Sequence, residues 1–167
     1  MSHIQTKVSM SQIPEQQAAT VGRNVSIFCA LIGAVVPIGL MLKAFLESYH
    51  PHWDVLIGAF FTLTALLIAA AFLGRVAGKV IWKKRSGAAG AILVGICLAF
   101  CCLIIGVAVW ALFNVAHALT DFSRQIVWFA SVMALIVGAL PAILLGVLYG
   151  VVMRSRLSII QGWDEDD

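Results

Sequence analysis

Four apolar runs, at about 25–46, 55–73, 88–113 and 126–152, follow one another with only short polar breaks between them. Each reaches the roughly 18 to 20 residues that a helix needs to cross the hydrocarbon core of a bilayer. The breaks are ESYHPHWD at 47–54, the basic stretch RVAGKVIWKKR at 75–85 with Ser86 to Gly90 behind it, and NVAHALTDFSRQ at 114–125. This pattern predicts an all-α integral membrane protein of four transmembrane helices, arranged as two helical hairpins with short loops on one side. Residues 1–22, rich in Ser, Gln and Thr, read as a polar N-terminal tail, with room for a partly ordered helix after Pro14. Residues 23–156 then form the transmembrane domain, and 157–167 an acidic tail. The first 24 residues hold no secretory h-region, so the first span is expected to act as its own insertion signal.

The basic residues orient the pattern. If the N-terminus is cytoplasmic, Lys7, Arg23, Arg75, Lys79, Lys83, Lys84, Arg85, Arg154 and Arg156 face the cytoplasm, nine of the 11 Lys and Arg in the chain. Only Lys43 and Arg124 face the other way. Basic residues accumulate on the cytoplasmic side of membrane proteins, so both termini are expected there, in a bacterial-type inner (plasma) membrane. Within the central stretch, Val76, Val80, Ile81 and Trp82 continue the second helix past the hydrocarbon. Lys79, Lys83, Lys84 and Arg85 are placed to meet the inner leaflet or a partner.

Composition agrees: 62% of residues are hydrophobic and 11% charged, with a mean hydropathy of +1.01. A soluble fold needs more polar surface than this. The net charge of +3 does not indicate nucleic acid, because the cations cluster at span ends rather than along a groove-lining face. Cys29, Cys97, Cys101 and Cys102 all lie in apolar runs without a Cys-x-x-Cys, and helix packing is their expected role. Acylation of Cys29, near the inner leaflet, has no support in the pattern.

Small residues carry the packing signal. Lipid gives helices no hydrophobic reason to associate, so close backbone approach must supply part of it. Gly138, Ala142, Gly146 and Gly150 recur every four residues on the fourth span, and Gly58, Thr62, Ala70, Gly74 and Gly78 mark the second. Packing inside one bundle is the first reading, and a seam between copies the second. A shift of 72 residues aligns Ala70, Gly74 and Gly78 with Ala142, Gly146 and Gly150, whereas a shift of 67 aligns His50 and Asp54 with His117 and Asp121. An internal duplication of one hairpin is therefore one reading of the chain.

The outer loops gather His50, His52, Asp54, His117 and Asp121, all suitable zinc or copper ligands. Their spacing is not a specific metal signature, and the carboxylates also stand where helix N-termini favour them. Apart from Lys43 near an outer end, the four apolar cores hold no Asp, Glu, Lys, Arg or His, which disfavours proton- or sodium-coupled transport. Hydroxyls of Ser26, Thr62, Thr64 and Ser131 are expected to bond their own helix carbonyls. Tyr49, Trp53, Trp82, Trp110, Trp128 and Tyr149 fit interfacial belts, and Pro37 and Pro141 fit packing kinks. The tail WDEDD is expected to be solvated. No cofactor and no catalytic residue is indicated.

The expected function is thus a non-catalytic, multi-pass membrane subunit or scaffold acting through helix contacts in a larger complex or homo-oligomer. The alternative is an oligomeric pore or small-solute channel, and a weaker alternative is metal binding at the outer loops. Expected partners are the bilayer, other membrane proteins or copies of the chain, and not nucleic acid.

Overall fold

A computed structural model describes residues 6–47, 53–84, 87–117 and 121–161. They form four helices: α1 (Thr6–Glu47), α2 (Trp53–Lys84), α3 (Ala88–His117) and α4 (Asp121–Gln161). All four contain a stretch long and apolar enough to cross a membrane. At about 1.5 Å per residue, α3 is roughly 45 Å long and α1 and α4 each exceed about 60 Å, against a hydrocarbon core of about 30 Å. The helices are therefore longer than the hydrocarbon core is thick.

That extension changes the reading of both terminal segments. Most of the N-terminal stretch is helix, continuous with the first span through Pro14 and Pro37. Ala18, Ala19 and Gly22 in it are buried. At the other end, α4 continues through Pro141 to Gln161, and Leu157 belongs to the core. The first apolar stretch lies at Glu15–Val35 where side chains are described. The sequence stays apolar through Leu46, so Arg23 marks the more natural hydrocarbon boundary. α3 begins four residues after the last residue of α2. Gly87 leads α3, its carbonyl accepting from the Ala91 amide at 3.1 Å.

Packing is most extensive between α3 and α4, then between α1 and α2, then α2 and α3, and less between α1 and α4. Consecutive helices run antiparallel: Gly22 lies by Gly74 and Gly78, Gly58 by Phe113, and Gly150 by Ile92. The start of α1, the end of α2, the start of α3 and the end of α4 consequently meet at one end of the bundle. The core cluster concentrates there, in Ala18, Ala70, Ala77, Ile81, Ala91, Tyr149, Met153 and Leu157. Small residues predominate because helices without a hydrophobic driving force gain from dispersion contacts at short range. The large apolar side chains point outward instead. Phe28, Phe60, Phe72, Leu112 and Val137 are each more than 60% exposed, a pattern suited to lipid and unsuited to water.

Candidate functional site

Two seams of direct backbone contact hold the bundle. In the first, α1 meets α2 through Ala18, Gly22 and Ser26 against Gly74 and Gly78. A Cβ built on Gly78 would strike the Ala18 carbonyl, and one on Gly74 would strike Ser26 Cβ and come within 2.7 Å of the Gly22 carbonyl oxygen. In the second, α3 meets α4 through Ala91, Ile92, Gly95 and Ile96 against Gly146 and Gly150. A Cβ on Gly146 would lie 2.5 Å from Ile96 Cα, one on Gly150 2.5 Å from Ile92 Cα, and one on Gly95 would strike the Gly146 carbonyl. Backbone atoms cannot rotate away as a side chain can. These positions admit no side chain without moving a helix.

The two seams share a register. Ala70, Gly74 and Gly78 correspond to Ala142, Gly146 and Gly150 at a shift of 72 residues. Ala18, Gly22, Cys29 and Gly33 of α1 correspond to Ala91, Gly95, Cys102 and Gly106 of α3 at a shift of 73. The match is partial: Cys29 and Cys102 are both buried, but Gly33 faces Leu145 of α4 whereas Gly106 faces Leu66 of α2, about two turns from Leu73, the counterpart of Leu145. The helices thus follow the 72–73 register, not the 67-residue register of the loop histidines. Spacing on α2 and α4 was visible in the sequence, but the α1 and α3 halves of the seams were missed. The repeat Ala-x3-Gly-x6-Cys-x3-Gly is the signal that would have found them.

Gly138 stands apart from the backbone seam: its missing Cβ leaves room for Leu103, whose Cδ1 would lie 2.7 Å away. Gly58 likewise leaves room for the ring of Phe113, which tilts against Phe61 with centroids 6.1 Å apart. Contacts toward this end of the bundle run through side chains, which can adjust.

Hydroxyl placement separates ordinary from special positions. Thr62 donates to the Gly58 carbonyl at 2.8 Å, Thr64 to Phe60 at 2.8 Å and Ser131 to Val127 at 2.7 Å, each satisfying itself within its own helix. Ser26 differs: its Oγ is buried and has no hydrogen-bond partner. Tyr149 is also buried, so it is no part of an interfacial belt. Its hydroxyl crosses the bundle and donates to the Gly74 carbonyl at 3.3 Å. The absent side chain at Gly74 is what exposes that carbonyl to α1 and α4 together.

Interhelical hydrogen bonds in membranes are worth about 0.6 kcal/mol on average. Tyr149→Phe, which keeps the ring, is expected to lower stability by about 0.5 to 1 kcal/mol in a denaturant titration in mild detergent. Ser26→Ala removes a hydroxyl that makes no bond, and is expected to leave stability unchanged or slightly raised in the same titration.

The remaining sequence candidates distribute unevenly. Lys79 pairs with Glu15 across α1 and α2, Nζ to Oε1 3.4 Å, both side chains about half exposed (47% and 49%). Such a pair contributes less than about 1 kcal/mol. Lys83 is exposed. Arg85, His50 and His52 lie outside the described residues, as do the side chains of Lys84, Asp54, His117 and Asp121. Among the described residues no group of three or more His, Cys, Asp and Glu side chains is arranged to hold a metal. Cys97 and Cys101 are exposed rather than packed, while Cys29 and Cys102 are buried.

Among the described residues these features define an all-helical bundle with four candidate membrane-spanning helices, closed around two backbone seams. No protein-family model matches the chain, and no curated protein or solved structure matches it.

Proposed function

We propose that this protein is a non-catalytic membrane subunit or scaffold that acts through helix contacts, with other membrane proteins or with copies of itself. The reading takes the four helices as two hairpins, with both termini cytoplasmic. The observation that carries it is the division of labour on the helix surfaces. The small-residue faces are consumed inside the chain at the two seams, and the interior is filled by Ala, Gly and a few larger apolar groups. What remains outside, among the described residues, is a broad apolar surface of exposed Phe, Leu, Ile and Val, on which a partner within the bilayer can act.

Purification from the native source in mild detergent, after cross-linking in the membrane, is expected to return either a stoichiometric protein partner or a defined homo-oligomer. Recovery of the chain as a lone monomer overturns the reading, and a ring of copies around a central opening replaces it with a pore. Orientation is tested separately in a cysteine-free background. His52→Cys is expected to react with an impermeant thiol reagent from outside the cell and Lys84→Cys only after permeabilisation; the reverse pattern inverts the topology.

A further inference from the structure

We infer that the end of the bundle at which the two seams lie carries a cationic collar that binds anionic phospholipid headgroups, built by three helices rather than by the central basic stretch alone. Heights along the bundle follow from the seams. Because Gly22 packs between Gly74 and Gly78, Arg23 of α1 comes level with Arg75 of α2. The Tyr149 to Gly74 hydrogen bond sets α4 against them, placing Arg154 and Arg156 level with the segment from Lys79 to Lys83. Arg23, Arg75, Lys83, Arg154 and Arg156 are all exposed. At about 1.5 Å per residue, Arg75 to Lys83 is a band about 12 Å tall, enough to span a headgroup layer of roughly 5 to 8 Å and reach the water beyond it.

Height and charge coincide with the bilayer boundary. From Arg75 back to Trp53 is about 33 Å of helix, matching a hydrocarbon core of about 30 Å. The collar therefore begins where the hydrocarbon ends. Lys79 belongs to the same band but is paired with Glu15; among the described residues, no carboxylate pairs with the other five. Arg23 donates its Nε to Asn24 Oδ1 at 3.3 Å, which leaves its terminal amines for a phosphate. The α3 helix contains no Lys or Arg, so the collar is open on that side. Clusters of this size beside a membrane helix attract anionic lipid, and guanidinium groups suit phosphate oxygens.

The inference rests on membrane insertion, and its test reports the two separately. The full-length protein is reconstituted into vesicles of equal phosphatidylglycerol and phosphatidylcholine, and the lipids it retains on release are counted by native mass spectrometry. Retained phosphatidylglycerol is expected to exceed phosphatidylcholine about five-fold at low salt, with the excess shrinking several-fold as ionic strength rises to 0.5 M. Replacing Arg23, Arg75, Lys83, Arg154 and Arg156 by Gln is expected to bring the ratio close to one, while the variant with Lys43→Gln and Arg124→Gln keeps the wild-type ratio. All five collar side chains are exposed, and circular dichroism confirms that the variant stays helical. Equal retention of the two lipids by the wild type, or a preference that survives loss of the five charges, overturns the collar. A preference that emerges only after deletion of residues 163–167 also overturns it, because the chain's own carboxylates then occupy the cations. Extraction of the protein from vesicles by alkaline carbonate sinks membrane insertion itself.

Discussion

Gly146→Ile is expected to abolish the folded chain, with a loss of about 3 kcal/mol or more and disappearance of the monodisperse species in mild detergent. The reason is geometric. Even the first carbon of the new side chain would stand 2.5 Å from Ile96 Cα and 2.8 Å from Ile96 N, and a β-branched residue brings two further carbons close behind it. Helix α3 must move bodily away from α4, and the Gly95 and Gly150 contacts on the same face go with it. Gly39→Ala is the matching control. Nothing lies within 4 Å of a Cβ at Gly39, so this change is expected to be neutral or to stabilise by about 0.5 to 1 kcal/mol, the usual difference between Ala and Gly inside a helix. Thermal or denaturant unfolding of the two variants side by side distinguishes a contact at Gly146 from a general intolerance of glycine replacement. If the Gly146→Ile chain keeps a folded monomer and loses only an oligomer, the second seam lies between copies and the intrachain assignment fails.

The second large effect is expected at Gly74, where one substitution removes two different interactions. A leucine there would collide with Ser26 and with the Gly22 carbonyl, forcing α1 from α2. It would also cover the Gly74 carbonyl that accepts from Tyr149. Gly74→Leu is therefore expected to cost about 3 kcal/mol or more by overpacking, and adding Tyr149→Phe to it is expected to cost almost nothing further. Removal of a hydrogen bond already broken has no additional effect, so the double-mutant cycle should show a coupling close to the whole Tyr149 contribution. Independent, additive losses in the unfolding titration would show that the Tyr149 hydroxyl stabilises the bundle without the Gly74 carbonyl, and the hydrogen-bond assignment fails.

Much of the architecture was legible because membrane helices advertise themselves by length and apolar content, which are properties of composition within a window. The four helices came from that signal, but the break expected at Ser86 to Gly90 is shorter, since Ala88 to Gly90 already belong to α3. The spacing of Gly74 and Gly78, and of Gly146 and Gly150, was equally legible, since four residues is close to one helical turn. The opposing halves of the seams were less so. Gly22 sits in a polar segment with Arg23 and Asn24 beside it, where apolar content falls and a tail is the natural reading. Its role depends on α2 continuing past the hydrocarbon as far as Lys84, which lets α1 remain a packed helix outside the apolar span. Tyr149 was placed in an interfacial belt for a similar reason. A tyrosine near a span end usually seeks the headgroup layer, and only the exposed carbonyl of Gly74 gives it a partner in the core.

The division between sequence and tertiary structure follows from the range of each interaction. Helix formation and span length are local or additive quantities, so the amino-acid order alone determines them. Which small residues touch, which cations remain available after Lys79 meets Glu15, and which hydroxyl finds its acceptor are settled by pairs far apart in the chain. Gly22 with Gly78, Gly95 with Gly146, and Tyr149 with Gly74 are contacts that exist only once four helices share one register. That register, held by backbone against backbone, turns Arg23, Arg75, Lys83, Arg154 and Arg156 from separate span-end charges into a single band.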